Sequence, residues 1–241
     1  PAQKFQFAHA FNSYYGSTQL LDRDGTPLWL VNEGEYRMMN TLDLVVDQVF
    51  FELLQNPWTV DNELDLFVSR YSYVDKVHAP GVDGEFEGGI SFTHDMGCRN
   101  AFAKAGSSIY ERPALTGCFS YMTQEQLMNW ILTAAVYTKR TGDERWTGVL
   151  KQCLTSMINR DNPDPAKRDG VMSFDSSKTL PGGCEVTTYD SLDASLGQAR
   201  ANAYLAVKGF ASYVALADVL PAEDAKLAFE QARRAAKTIV S

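Results

Sequence analysis

A chain of 241 residues with 45% hydrophobic and 22% charged side chains has the apolar material for one large or two small domains with a substantial core. Its long apolar run over residues 44–54 is broken by Asp47, Gln48 and Glu52, so no membrane-spanning helix is predicted. A net charge of −8 argues against a nucleic-acid binder, which needs a basic face for phosphates, and fits a neutral or cationic ligand.

Residues 1–31 hold closely spaced aromatics (Phe5, Phe7, Phe11, Tyr14, Tyr15), a Gly16-Ser17 turn, Leu20-Leu21, and an Asp22-Arg23-Asp24-Gly25 turn before Leu28-Trp29-Leu30-Val31. They read as short extended segments. The next stretch, Asn32-Glu33-Gly34-Glu35-Tyr36-Arg37-Met38-Met39-Asn40-Thr41-Leu42-Asp43, crowds three carboxylates, an arginine and a tyrosine against the start of an apolar helix. A plain surface turn rarely needs so many groups able to grip or ionise near a polar ligand.

From Asn40 the pattern turns helical. Leu42, Val45, Val46, Val49, Phe50, Leu53 and Leu54 recur at helical spacing, predicting a helix capped by Asn40 or Thr41 and closed by Asn56-Pro57. A second helix is predicted over residues 59–70, with Val60, Leu64, Phe67 and Val68 on one side. Residues 72–122 read as a long Gly-rich irregular region. Thr123-x-x-Gln126 reads as a capping box opening a helix to Arg140, with Leu127, Trp130, Ile131, Ala134 and Ala135 inward. Gly142-Asp143 breaks it and residues 144–159 form the next. A second irregular stretch, 160–192, precedes a helix over 194–217, and Pro221 starts the last.

The pattern is three helical hairpins, with short connections inside each pair and long ones between pairs, as in a helical array or toroid. Successive hairpins bring equivalent ends to one side. Glu33, His94, Asp95 and Asp190 are therefore expected to converge there, facing the positive ends of helices that favour ionised carboxylates.

Two carboxylates flanking one bond are the minimum equipment of a glycosidase: one attacks or activates water, the other supplies a proton to the leaving oxygen. Glu33 and Asp190 qualify, since both lie at loop-to-helix transitions among hydrogen-bonding neighbours. Any single acid among the 30 present reads first as a solvated or capping group, Asp190 as an N-cap. In Thr93-His94-Asp95-Met96-Gly97, adjacent His and Asp can donate to and accept from vicinal hydroxyls. A metal reading with Cys98 is the weakest, because the chain holds only His9, His78 and His94. No metal site and no cofactor are predicted.

Other motifs are set aside. Asp161-Asn162-Pro163-Asp164-Pro165 fails the calcium-loop pattern and reads as a turn between helices. Gly182-Gly183 lacks phosphate-loop context, and Gly-x-Ser-x-Gly is absent. Trp58, Trp130 and Phe67 lie on or beside helical stripes and read as core, whereas Phe119 and Tyr121 are better placed to stack on a sugar. Four scattered cysteines, Cys98, Cys118, Cys153 and Cys184, read as reduced structural thiols. The chain begins at Pro1 and stops at Ser241 inside a predicted helix, so it reads as a piece of something longer. Its compartment is unknown, with the cytoplasm favoured.

The chain resembles glycoside hydrolase family 52, the retaining β-xylosidases, over essentially its whole length. The likeness is carried by Asn12-Ser13-Tyr14-Tyr15-Gly16-Ser17-Thr18-Gln19-Leu20-Leu21, by the segment 32–43, and by Asn56-Pro57-Trp58-Thr59-Val60. It continues in Gly88-Gly89-Ile90-Ser91-Phe92-Thr93-His94-Asp95-Met96-Gly97, Arg160-Asp161-Asn162-Pro163-Asp164-Pro165 and Thr187-Thr188-Tyr189-Asp190-Ser191-Leu192-Asp193. A more distant likeness is to family 116, which shares a Glu-Gly-Glu-Tyr-Arg-Met-type segment, a His-Asp loop and a Thr-Tyr-Asp loop.

The resemblance implies Glu33 as nucleophile and Asp190 as general acid/base, with Glu35 and Asp193 as their nearest rivals. It implies Asp43, His94, Asp95 and Thr188 as sugar-hydroxyl contacts. It further implies a mainly α fold in which residues 1–39 are a short irregular or extended linker with the nucleophile loop. Residues 40–241 would then be a partial catalytic domain, about half of an (α/α)6 toroid, and an open half-ring is expected to expose apolar surface. The function implied is that of a retaining exo-β-xylosidase acting on terminal β-xylosyl residues of small xylo-oligosaccharides by double displacement. The alternatives are a β-glucosidase of the same architecture, or a non-catalytic helical scaffold or sugar-binding module. No nucleic-acid or membrane partner is expected, and a homo-oligomer is compatible with the sequence.

Overall fold

Helix α1 (Ala2–Gly16) opens the chain where extended segments are predicted. The cause is compositional: residues 2–16 contain no β-branched side chain, while Ala, Gln and Lys favour helix. Its aromatics then fall one turn apart, and Phe11, Tyr14 and Tyr15 set their rings against Phe51, with centroids 5.2, 5.3 and 6.4 Å away. The computed structural model describes residues 1–34, 38–106, 122–178, 185–188 and 197–241. The extended reading holds from residue 18. Strands β1 (Thr18–Arg23) and β2 (Thr26–Val31) pair antiparallel through Asp24 and Gly25, whose φ values of 53° and 83° suit a two-residue hairpin turn.

After β2 the chain reverses to β3 (Met38–Met39) and enters α2 (Leu42–Gln55), with Thr41 at its N-cap. The apolar stripe divides: Leu42, Val45, Val49 and Leu53 are buried, but Phe50 and Leu54 are exposed. Asn56 alone separates α2 from α3 (Pro57–Arg70), which has its proline at the first position, where no backbone donor is missed. Trp58, expected in the core, is 45% exposed at the start of α3 and meets Trp29 edge-on.

The region predicted to be irregular holds strands. β4 (Ser72–His78) and β5 (Phe86–Phe92) pair antiparallel, and β8 (Asp175–Ser176) adds to the other side of β4. The glycines that suggested a loop serve close packing instead. The Ser156 hydroxyl bridges the carbonyls of Gly88 and Ile90 at 2.8 and 2.7 Å, and a Cβ at Gly89 would lie 3.0 Å from that of Ser156. β6 (Gly97–Cys98) pairs with both β3 and β7 (Ala101–Phe102).

Two more hairpins follow. Helices α4 (Thr123–Thr141) and α5 (Thr147–Asp161) form one, α6 (Ala203–Val219) and α7 (Ala222–Val240) the other. Gly142 ends α4 in the left-handed region, at φ 75°. The predicted capping box does not form: Thr123 is bonded to the Tyr73 hydroxyl at 2.8 Å and Gln126 points to another helix. α6 begins at Ala203, later than predicted, because Gln198 is in a strand bridge, Ala201 has φ 49°, and Asn202 caps the amide of Leu205.

The chain is thus mainly helical with small antiparallel sheets. The first helices of the three hairpins lie side by side, α2 on α4 and α4 on α6, leaving α4 central and buried along most of its length. The core centres there, with Trp130 stacked on Phe92 at 5.0 Å and edge-on to Trp146 at 5.8 Å. No helix among the described residues is long and apolar enough to cross a membrane.

Candidate active site

The opening turns of α2, α4 and α6 face one another, and the loop joining β5 to β6 closes the gap between them. That loop is set by backbone bonds. Thr93 donates to the Tyr71 carbonyl at 3.0 Å, Met96 donates to that of Met39 at 2.8 Å, and the Leu42 amide donates to the His94 carbonyl at 3.1 Å. Gly97, with φ 145°, has room for no side chain: a Cβ would fall 2.1 Å from the Ala101 carbonyl oxygen.

Asp43, in the first turn of α2, is the hub. Its Oδ1 accepts from Gln126 Nε2 at 2.6 Å and Asn129 Nδ2 at 2.8 Å, both on α4. Its Oδ2 has longer contacts, to Thr188 Oγ1 at 3.4 Å and His94 Nε2 at 3.5 Å. The Oδ2 side therefore has slack for a further hydroxyl. His94 Nδ1 lies 3.1 Å from Asp95 Oδ2, and Asp95 Oδ1 accepts from the Gly97 amide at 2.9 Å. Thr188, Asp43, His94 and Asp95 thus form one connected chain of polar contacts; the convergence was expected of His94 and Asp95 with Glu33 and Asp190.

Electrostatics follow from this enclosure. Burial would keep His94 neutral, but hydrogen bonds and charge from Asp43 and Asp95 reverse it and raise the imidazole to about 10. Burial pushes Asp43 up, and the bonds and charge of His94, helped by Gln126 and Lys208, bring the net shift below its ordinary value. The pair is imidazolium and carboxylate near neutrality.

A second carboxylate anchors the neighbouring segment. Glu125 of α4 accepts from the Thr187 hydroxyl, the Thr188 amide at 2.7 Å, the Tyr204 hydroxyl at 2.8 Å and Lys208 Nζ at 3.3 Å. Glu185 accepts from the amides of Gln124 and Ser176, and burial pushes its carboxyl up to about 8 against the opposing charge of Arg160. Glu125, Gln126, Asn129, Tyr204 and Lys208 all escaped prediction. Their signal was the run Thr123-Gln124-Glu125-Gln126 with Asn129 on a helix otherwise filled by Leu127, Trp130 and Ile131.

Glu33 is tied by backbone pairing to the strand that follows the His94 loop. It exchanges two bonds with Met38, at 3.0 and 3.2 Å, and Met38 pairs in turn with Cys98 beyond the His94 loop. Asn40 fixes the return: its side chain accepts from Val31 N at 3.0 Å, donates to Glu63 and reaches Met96 Sδ at 3.3 Å, while its backbone holds φ 54°. Asp190, its rival Asp193, Glu35, the aromatics Phe119 and Tyr121, Cys118, Cys184 and Gly182-Gly183 lie outside the described residues. Cys153 is a buried free thiol, and Cys98 is half-buried. Among the described residues no group of three His, Cys, Asp or Glu could hold a metal ion.

Residues 1–137 match the sequence model of glycosyl hydrolase family 52. Over 247 aligned positions covering 99% of the chain, it is 59% identical to a beta-xylosidase of Geobacillus stearothermophilus. Over 184 positions covering 75% of the chain, it is 59% identical to a second beta-xylosidase of that organism. The aligned regions make up 35% and 30% of these relatives, so the chain spans roughly a third of their length.

Proposed function

The chain belongs to glycosyl hydrolase family 52, and on that premise we propose that it carries the catalytic carboxylates of a retaining exo-β-xylosidase. Glu33 attacks the anomeric carbon of a terminal β-xylosyl residue while Asp190 protonates the leaving oxygen. Asp190 then takes a proton from the water that releases xylose from Glu33. Asp43, His94, Asp95 and Thr188 serve the sugar hydroxyls, the slack Oδ2 of Asp43 accepting one while both ring N–H groups of His94 stay on Asp43 and Asp95. The three hairpins form about half of an (α/α)6 toroid entered through residues 1–39, with residues 40–241 as the partial catalytic domain. The packing of the three first helices side by side, α2 on α4 and α4 on α6, supports this arrangement.

The observation that carries the reading is the polar chain from Thr188 through Asp43 and His94 to Asp95, on a loop whose following strand pairs with Met38, the backbone partner of Glu33. Such a constellation of charged donors and acceptors at converging helix starts suits a polyhydroxylated neutral substrate.

The natural full-length protein is expected to hydrolyse aryl β-xyloside faster than aryl β-glucoside, and Glu33→Gly to lose turnover by roughly a thousandfold or more, recovered in part by azide. Preference for the glucoside would move the specificity to β-glucosidase. No turnover of either would leave a binding scaffold, and azide rescue of Glu35→Gly instead would transfer the nucleophile. Retention requires the two carboxyls roughly 5–5.5 Å apart.

A further inference from the structure

We propose that Glu125 is a positioning residue for proton transfer, acting through Thr187 and Thr188 on the segment that carries Asp190; the inference rests on the two-carboxylate reading above. Glu125 sits in the first turn of α4 and is 1% exposed. Burying a carboxylate there is costly unless its lone pairs are met, and an apolar residue would fill the position as Leu127 and Ile131 do nearby. Its lone pairs are met by four donors, and two of those belong to consecutive residues, the Thr187 hydroxyl and the Thr188 amide. Tyr204 and Lys208, on α6, hold the other carboxylate oxygen at 2.8 and 3.3 Å. The carboxylate therefore ties one short stretch of backbone to two helices at once.

That stretch is also one arm of a stem. Thr187 donates to the Gly197 carbonyl at 2.7 Å, Ala199 donates to that of Glu185 at 2.8 Å, and Val186 bridges Gln198. The stem is fastened to α4 a second time where the Gln124 amide meets Glu185. Asp190 follows Thr188 by two residues. A proton donor must hold its geometry to a fraction of an ångström through the transition state, and Glu125 fixes Thr188, two residues before Asp190 in sequence.

A packing role and a positioning role separate by leaving group. In the natural full-length protein, Glu125→Gln and Thr187→Val are compared with Asp190→Ala on phenyl β-xyloside, whose leaving group needs a proton, and on dinitrophenyl β-xyloside, whose leaving group does not. Both variants are expected to melt near the parent and to lose roughly tenfold to a hundredfold in kcat/KM on the phenyl substrate, part of the ~100- to 10,000-fold a positioned acid supplies. On the dinitrophenyl substrate the loss is expected to stay under about threefold. Equal losses on both substrates, or none on either, overturn the role of Glu125. If Glu125→Gln does not fold, Thr187→Val alone decides. Asp190→Ala showing the selective loss while the variants do not overturns this inference alone; Asp190→Ala lacking it overturns the two-carboxylate reading itself.

Discussion

His94 meets Asp43 through Nε2 and Asp95 through Nδ1, and its ring is almost wholly enclosed. Folding raises its affinity for a proton, so the stabilisation it contributes is complete below the ordinary value of 6.5 and is lost as pH rises through about 10. Asp43, shifted below 3.8, contributes above that value and loses its share as pH falls through its lowered range. The clamp is therefore intact across neutral pH and fails on the alkaline side first by deprotonation of His94. Ring-nitrogen NMR is expected to show His94 still protonated at pH 8, and the gap in melting temperature between parent and His94→Gln to narrow toward pH 10. A ring that titrates near 6.5 would refute the clamp. His94 and Asp95 were legible as an adjacent pair in a Gly-flanked loop, whereas Asp43 was singled out only through the family resemblance. Glu125 and Lys208 were not, since a charged residue on a predicted helix reads as surface until the neighbouring helix is known.

At the level of elements, helix α5 is joined to strand β4 by a buried ion pair. Arg160 donates to Asp75 at 3.1 Å with neither side chain exposed, and the Arg160 carbonyl accepts from the amides of Ser173 and Phe174. Arg160→Met leaves the Asp75 carboxylate buried without its cation and is expected to cost about 3–5 kcal/mol, read by urea unfolding with Asp75→Asn as the partner mutation. A loss under about 1 kcal/mol would mean that the pair is dispensable. The helical hairpins were legible from periodicity because the stripes of α2 and α4 repeat over three or more turns. The strands β4 and β5 were obscured by Gly88 and Gly89, which mimic a loop but admit α5. Helix α1 was obscured by aromatic rings, which strands and helices use alike. Thr123-x-x-Gln126 has a capping-box spacing, yet both side chains are spent on tertiary bonds.

Over the whole molecule, the starts of α2, α4 and α6 meet at the polar cluster, and their far ends flank an apolar groove. Phe50 and Leu54 of α2, Val136 of α4 and Val219 of α6 line it, and Phe50 and Leu54 are 69% and 67% exposed. Open apolar surface of this kind drives association. The 241-residue chain alone is expected to self-associate at micromolar concentration, and Phe50→Lys with Leu54→Lys to return it to monomer in sedimentation velocity without loss of helix. An unchanged oligomer would place the sticky surface elsewhere. At the opposite face, the arms of the stem around Thr187 and Gly197 are fixed to one another, and the first of them to α4. Thr188 and Gly197 are therefore held at neighbouring points of the frame. Such an arrangement is modular: relatives can lengthen or shorten the span between those points around Asp190, in the laboratory or by descent, with the helices beneath left as they are.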